Sequence, residues 1–114
     1  MKKTKLFINN RPLNTEVRVA NNFFQKTIGL MFANDQSYGL LIPSCKSIHT
    51  FFMYYALNVV ALDSGNTVLC IYRDVKPWKI LLAKRKTKNI LELPSDLINI
   101  SKITVGSKLS FRGQ

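Results

Sequence analysis

CKSIHTFFMYYALNVVALD, residues 45–63, is the stretch on which the reading of this chain turns. It holds one of the two cysteines, the only histidine and the densest aromatic cluster in a single apolar run. From Ser47 to Leu62 the pattern repeats every two residues. Ile48, Thr50, Phe52 and Tyr54 would point one way, and His49, Phe51, Met53 and Tyr55 the other, because strand side chains alternate between faces. Apolar residues on both sides predict a strand covered on both faces, as in a small barrel or a sheet under a helix. Ala56 to Asn58 reads as a bulge or bend, and VVALD at 59–63 as another strand. Asp63, Ser64, Gly65 and Asn66 form a turn, and TVLCIYRD at 67–74 returns as the second arm of a hairpin that Pro77 ends.

Working outward, residues 3–8 (KTKLFI) and 15–19 (TEVRV) read as short strands joined through Asn9, Asn10 and Pro12, so a hairpin is expected. A helix follows, with Asn21 or Asn22 as its cap and Phe24, Ile28 and Met31 on one face beside Phe23. Gly29 inside that helix costs about 1 kcal/mol relative to Ala, which points to a close approach by another backbone. GLLIP at 39–43 is a buried strand, and NILEL at 89–93 is another, stopped by Pro94. Ser95 or Asp96 can cap one short helical turn, and SKLSF at 107–111 is the last strand. The expectation is one α+β domain over residues 1–114. It is β-rich, with a mostly antiparallel, partly closed and barrel-like sheet, one main helix and short helical turns.

A chain of 114 residues suits one modest core, since two independent cores of that size would be marginal. Seventeen Lys and Arg stand against six Asp and Glu, a formal net charge of +11 that favours a polyanion as partner. Lys2, Lys3 and Lys5 resemble the start of a signal peptide, but only Leu6, Phe7 and Ile8 follow before Asn9, so the apolar core of such a signal is missing. No apolar run approaches the roughly 20 residues that span a bilayer, so no transmembrane segment is expected. The expected location is cytoplasmic, where Cys45 and Cys70 are free thiols. Two cysteines and one histidine without CxxC spacing do not complete a structural zinc site, so no metal is expected.

KTIGLMF at 26–32, GLLI at 39–42, CKSIHTFFM at 45–53, VVALD at 59–63, VKPWK at 75–79, ILELP at 90–94 and ITVG at 103–106 follow one another in a specific order. Together they resemble the domain-of-unknown-function 192 family over about residues 17–111. The resemblance implies a β-rich domain with one main helix. It implies no reaction, cofactor or substrate. The chain departs from the family's pattern at Tyr54, where relatives usually carry Arg, and at Asn58, where they carry Asp. Relatives also tend to have Arg at Lys79, Gly at Asp96 and Asp at Ser107. Losing an Arg–Asp pair together is physically reasonable, since one buried partner left alone costs several kcal/mol.

Several residues are candidates for function. Cys45 and His49 could pair as nucleophile and base, with Asp63 as a further candidate, or Cys45 could pack in the core while His49 bonds a backbone carbonyl. Asp63 begins a DSGN turn, where a carboxylate commonly bonds its own backbone. His49, Tyr54, Asn58, Trp78 and Lys79 are ligand-binding candidates, with Trp78 either an exposed platform or a cover on the end of the sheet. Arg73, Lys76, Lys84, Arg85, Lys86 and Lys88 are candidates for a polyanion surface, interleaved with Tyr72 and Trp78. The leading expectation is a small non-enzymatic binding or accessory module for an anionic ligand or a protein partner. A small enzyme using Cys45 and His49, and a non-specific nucleic-acid binder with weak, salt-sensitive contacts, are the alternatives.

Overall fold

Runs of Leu, Ile and Val at alternating spacing generate the sheet and sort its side chains onto two faces. The computed structural model describes residues 1–31 and 33–113, the side chain of Phe23 excepted. Its elements are β1 (Lys2–Ile8), β2 (Arg11–Val19), α1 (Phe23–Ile28), β3 (Tyr38–Ile42), β4 (Ser47–His49), β5 (Leu57–Leu62), β6 (Val68–Val75), β7 (Ile80–Leu82), β8 (Asn89–Pro94) and β9 (Leu109–Gly113), with one 3-10 turn at Ile100–Lys102. Seven strands form a sheet in the order β6-β5-β8-β3-β2-β1-β9, and β4 pairs with β7 in a small second sheet. Pairing is antiparallel except between β2 and β3, which the α1 crossover makes parallel.

On one face Leu41, Val60, Leu62, Leu91 and Leu93 join Leu6, Val17, Ile103 and Leu109. On the other, Leu40, Ile42, Leu57, Val59 and Ile90 join Leu30, which follows α1, and Ile48 of β4. Each Leu or Ile so buried contributes about 1.5–3 kcal/mol. The central strands β3, β5 and β8 are therefore covered on both sides, and β4 and β7 form part of the cover on the second face.

The sheet does not close. β6 and β9 are its edges and meet at one end, where Thr67 bridges Lys108 and the Val68 N–H donates to the Ser107 carbonyl at 2.9 Å. Strand twist brings the two edges together there, yet no ladder continues from that point, so the barrel-like part of the expectation is not met.

The alternation from Thr50 to Tyr55 misleads. β4 stops at His49 and residues 51–55 turn. The cause is Thr50, fully buried, whose hydroxyl donates to the Lys76 carbonyl at 2.6 Å and accepts the Lys79 N–H at 2.8 Å. The Thr50 N–H donates to the Lys79 carbonyl and its carbonyl accepts the Trp78 N–H. These four bonds take the chain out of any ladder. Phe52 then adopts a left-handed backbone (φ 61) and lies exposed, as does Tyr54, while Met53 is buried.

The helix is shorter than expected. The Asn22 side chain accepts the Gln25 N–H at 2.8 Å, and the Gln25 side chain accepts the Asn21 N–H at 2.7 Å. Gly29 ends it with φ 57. What approaches Gly29 is the Glu92 side chain rather than another backbone. Phe24 is exposed, so it does not share a buried face with Ile28; the Phe23 side chain and Phe32 lie outside the described residues. The late 3-10 turn is capped by Asn99 rather than Ser95 or Asp96.

Candidate functional site

Strand alternation aims Glu92 at the same face as Ile90, beneath α1 and the small sheet. Its carboxyl is fully buried, and among the described residues Oε1 has no hydrogen-bond partner. Burial pushes this carboxyl up to about 8, against one opposing hydrogen bond from the Leu30 backbone N–H. Above it opens a groove of about 490 Å³, a size typical of small-ligand sites. Lys26 and Gly29 line it from the α1 side, Cys45 and His49 from the chain around β4, and Ile80 and Leu82 from β7. The register explains the last pair: Ser47 faces Leu82 and His49 faces Ile80, while Leu81 turns to the core and the buried Ile48 touches both core and groove.

The groove brings Cys45 and His49 to one site, though not as a pair aimed at each other. The Cys45 thiol donates to the Ser47 carbonyl at 3.0 Å, and His49 Nδ1 accepts the Phe51 N–H at 3.2 Å. Burial pushes the Cys45 thiol up, which disfavours the thiolate that a nucleophile needs. Asp63 does not line the groove. Its Oδ1 accepts the N–H groups of Gly65 and Thr67, both at 2.9 Å, the turn role that DSGN suggested. Cys45 and Cys70 are both free of any disulfide among the described residues.

A second surface borders the groove through aromatic contacts. His49 stacks on Phe51 at 5.1 Å, Phe51 meets Trp78 at 5.8 Å, and Phe52 meets Trp78 edge-on at 4.8 Å. Trp78 is exposed, and with Lys79 it lies outside the groove lining. Arg73, Lys76, Lys79, Lys84, Arg85, Lys86 and Lys88 are all exposed, Lys76 in an ion pair with Asp74, and the 84–88 loop lies at the Cys45 end of β7. Tyr54 and Asn58 part company: Tyr54 is exposed, whereas Asn58 is buried, accepting the Asp74 N–H at 2.9 Å and donating to the Ser95 carbonyl at 3.4 Å. Asn58 thus fastens β6 and the segment after β8 to β5.

Thr50 is the positioning residue for this surface. Replacing it with Val should cost about 1–3 kcal/mol, because the Lys79 N–H and Lys76 carbonyl lose a buried partner. It should also loosen Trp78, the only tryptophan, lowering its fluorescence anisotropy. Unchanged anisotropy would mean that the turn at 76–79 holds itself.

Among the described residues no three of His, Cys, Asp and Glu gather as a metal-holding group. Nor is any helix among them long and apolar enough to cross a membrane. Glu92 was the residue missed in the sequence. Its signal was present: a lone charge inside the apolar strand NILELP.

Fold and groove define a small β-rich domain of a kind found in uncharacterised proteins. The profile of DUF192, described as Uncharacterized ACR, matches residues 4–111, and the chain belongs to that family. A UPF0127 protein of Pyrococcus horikoshii is 33% identical over 101 residues, covering 84% of this chain and 87% of its own. One from Pyrococcus abyssi is 31% identical over 101 residues, with 84% and 86% covered. The fold is shared with a crystal structure from Sinorhizobium meliloti 1021, named as a candidate transcription regulator, at TM-score 0.82 and 18% identity over 96% of this chain and 93% of that one. A protein of unknown function from Novosphingobium aromaticivorans gives 0.78 and 17%, covering 95% and 83%.

Proposed function

We propose that this protein is a small non-enzymatic binding module whose basic face takes an anionic ligand or protein partner. The observation that carries the reading is that all seven basic residues between Arg73 and Lys88 are exposed, in a stretch that also exposes Trp78. Only Asp74 offsets them within that stretch. Charges this close reinforce one another, since screening in 0.1 M salt acts over about 10 Å. Trp78 and Phe52 supply flat apolar surface beside the cations, and His49 and Lys79 stand at its margins. Cytoplasmic location belongs to the same reading.

The test is binding to heparin and to single-stranded DNA of several sequences across a salt series. The wild-type constant should fall steeply with salt and ignore sequence. Replacing Lys84, Arg85 and Lys86 with Ser removes three contacts and should reduce the logarithmic salt slope on single-stranded DNA by about 2. Indifference of the wild-type protein to both polyanions at low salt would overturn the polyanion reading. Strong dependence on DNA sequence would count against a purely electrostatic contact.

A further inference from the structure

The groove offers a site whose chemistry is unlike that of the basic face. Its base is Glu92, with Oε1 buried and unpartnered among the described residues. Gly29 packs close to that oxygen: a Cβ at this position would sit 3.1 Å from Oε1, so a larger residue would press on it. An orphaned buried oxygen costs about 1–3 kcal/mol unless something satisfies it. With the carboxyl held near 8 by burial, Glu92 keeps its proton at neutral pH. The Leu30 N–H already occupies an acceptor site on the carboxyl, so the free oxygen is the natural place for the proton and Glu92 presents an O–H donor.

Lys26 lines the same groove and adds a second, charged donor. The Cys45 thiol, which lines the same groove, lies within electrostatic reach of both groups. Most of the remaining wall is apolar, from Ile28, Ile48 and Phe51 to the exposed Ile80 and Leu82, with Ser44, Ser47 and His49 as its polar interruptions. Two donors and a mostly hydrocarbon wall match an amphiphile with an acceptor head. An ammonium head would face Lys26 and a protonated carboxyl, and a chain of net charge +11 repels it from a distance.

We propose that the groove binds a small apolar carboxylate, its head accepting hydrogen bonds from Glu92 and Lys26 and its hydrocarbon lying along Ile28, Ile48, Phe51 and Leu82. None of the side chains that would touch this ligand belongs to the loop at 84–88, so the groove and polyanion binding can be tested apart.

Calorimetric titration with octanoate, octylamine and octanol at pH 6.5 tests the inference. Octanoate should bind tightest. Glu92→Gln, which keeps an N–H donor, should hold octanoate within about threefold, whereas Glu92→Leu should weaken it about tenfold or more. Lys26→Gln should weaken octanoate and leave octanol unchanged. If the Leu variant fails to fold, the Gln and Lys26 variants decide. Octanoate affinity should also fall as pH rises past about 8, where Glu92 ionises. Cys45, His49, Lys26 and Tyr55 face or adjoin the same carboxyl, so that fall should vanish in Glu92→Gln if Glu92 is its source. Tighter binding of octylamine, indifference of octanoate to both Glu92→Leu and Lys26→Gln, or no octanoate binding at millimolar concentration would each overturn the proposal. Heparin retention by the same variants should stay at the wild-type level, and its loss would show that the groove and basic face are one site.

Discussion

Glu92→Gln should stabilise the protein by roughly 3 kcal/mol at pH 7 and have little effect below pH 4.5. Unfolded, the Glu92 carboxyl titrates near its ordinary 4.5, while in the fold burial carries it to about 8. The folded state therefore holds this proton more tightly than the unfolded chain does. The native state is under no ionisation penalty below pH 4.5, loses stability as pH rises from there, and levels off above about 8. At about 1.36 kcal/mol per pH unit, the loss reaches roughly 3 kcal/mol by pH 7 and roughly 5 above pH 8. Gln has the same shape and no charge to bury. Urea unfolding of both proteins at pH 4.5, 7 and 8.5 isolates the effect, because the surface groups contribute alike to both and Cys45 and Tyr55, which burial and Glu92 push up, stay protonated over that range. A constant difference between the two curves would mean that Glu92 is not the burdened group.

The second large effect is a coupled pair on the opposite face of the sheet. Leu93→Ala should cost about 3–5 kcal/mol, since Leu93 is fully buried and its removal leaves a cavity. Gly39→Ala should also destabilise, by about 1–3 kcal/mol, because the new Cβ would lie 2.6 Å from Leu93 Cδ2. Together they should cost less than their sum by about 0.5–3 kcal/mol, because truncating Leu93 vacates the space that a methyl group on Gly39 needs. The rescue stays partial, because the Glu92 carbonyl is 3.1 Å from the same Cβ and belongs to the backbone. Strict additivity in urea unfolding would show that the two residues do not press on each other.

What could be read from the residues tracks where short-range chemistry dominates. The hairpin of β5 and β6 was legible because DSGN is a turn whatever surrounds it, and Asp63 bonds its own backbone there. The central strands were legible because runs such as GLLI and NILEL are apolar enough to demand cover on both sides. The segment after His49 was not, because a two-residue period persists through Tyr55 while Thr50 makes bonds to residues 26 to 29 positions away. β7 was missed for a related reason. Ile80 and Leu82 are exposed and Leu81 alone turns inward, so its three residues look like part of the basic loop. The groove drew its lining from α1, β4, β7 and β8, and only the pairing of distant strands could assemble it. Cys45 and His49 both line it. Their neighbour Glu92, not a catalytic pairing between them, gives that place its character.

The pairing of β1 with β9 sets a condition on how this chain acquires its shape. β1 lies between β2, its hairpin neighbour, and β9, with Leu6 opposite Phe111 and Ile8 opposite Leu109. During synthesis the first hairpin therefore waits with one edge of hydrogen-bonding groups unpaired until about a hundred further residues have been made. Contacts so distant along the chain slow folding, because the entropy of closing the loop is lost before the contact forms. Lys3 and Lys5 are exposed on this strand, and charge on a waiting edge discourages its pairing with another nascent chain. Part of the positive charge of this protein thus has a use before the fold exists, as protection for an edge whose partner, β9, follows far along the chain.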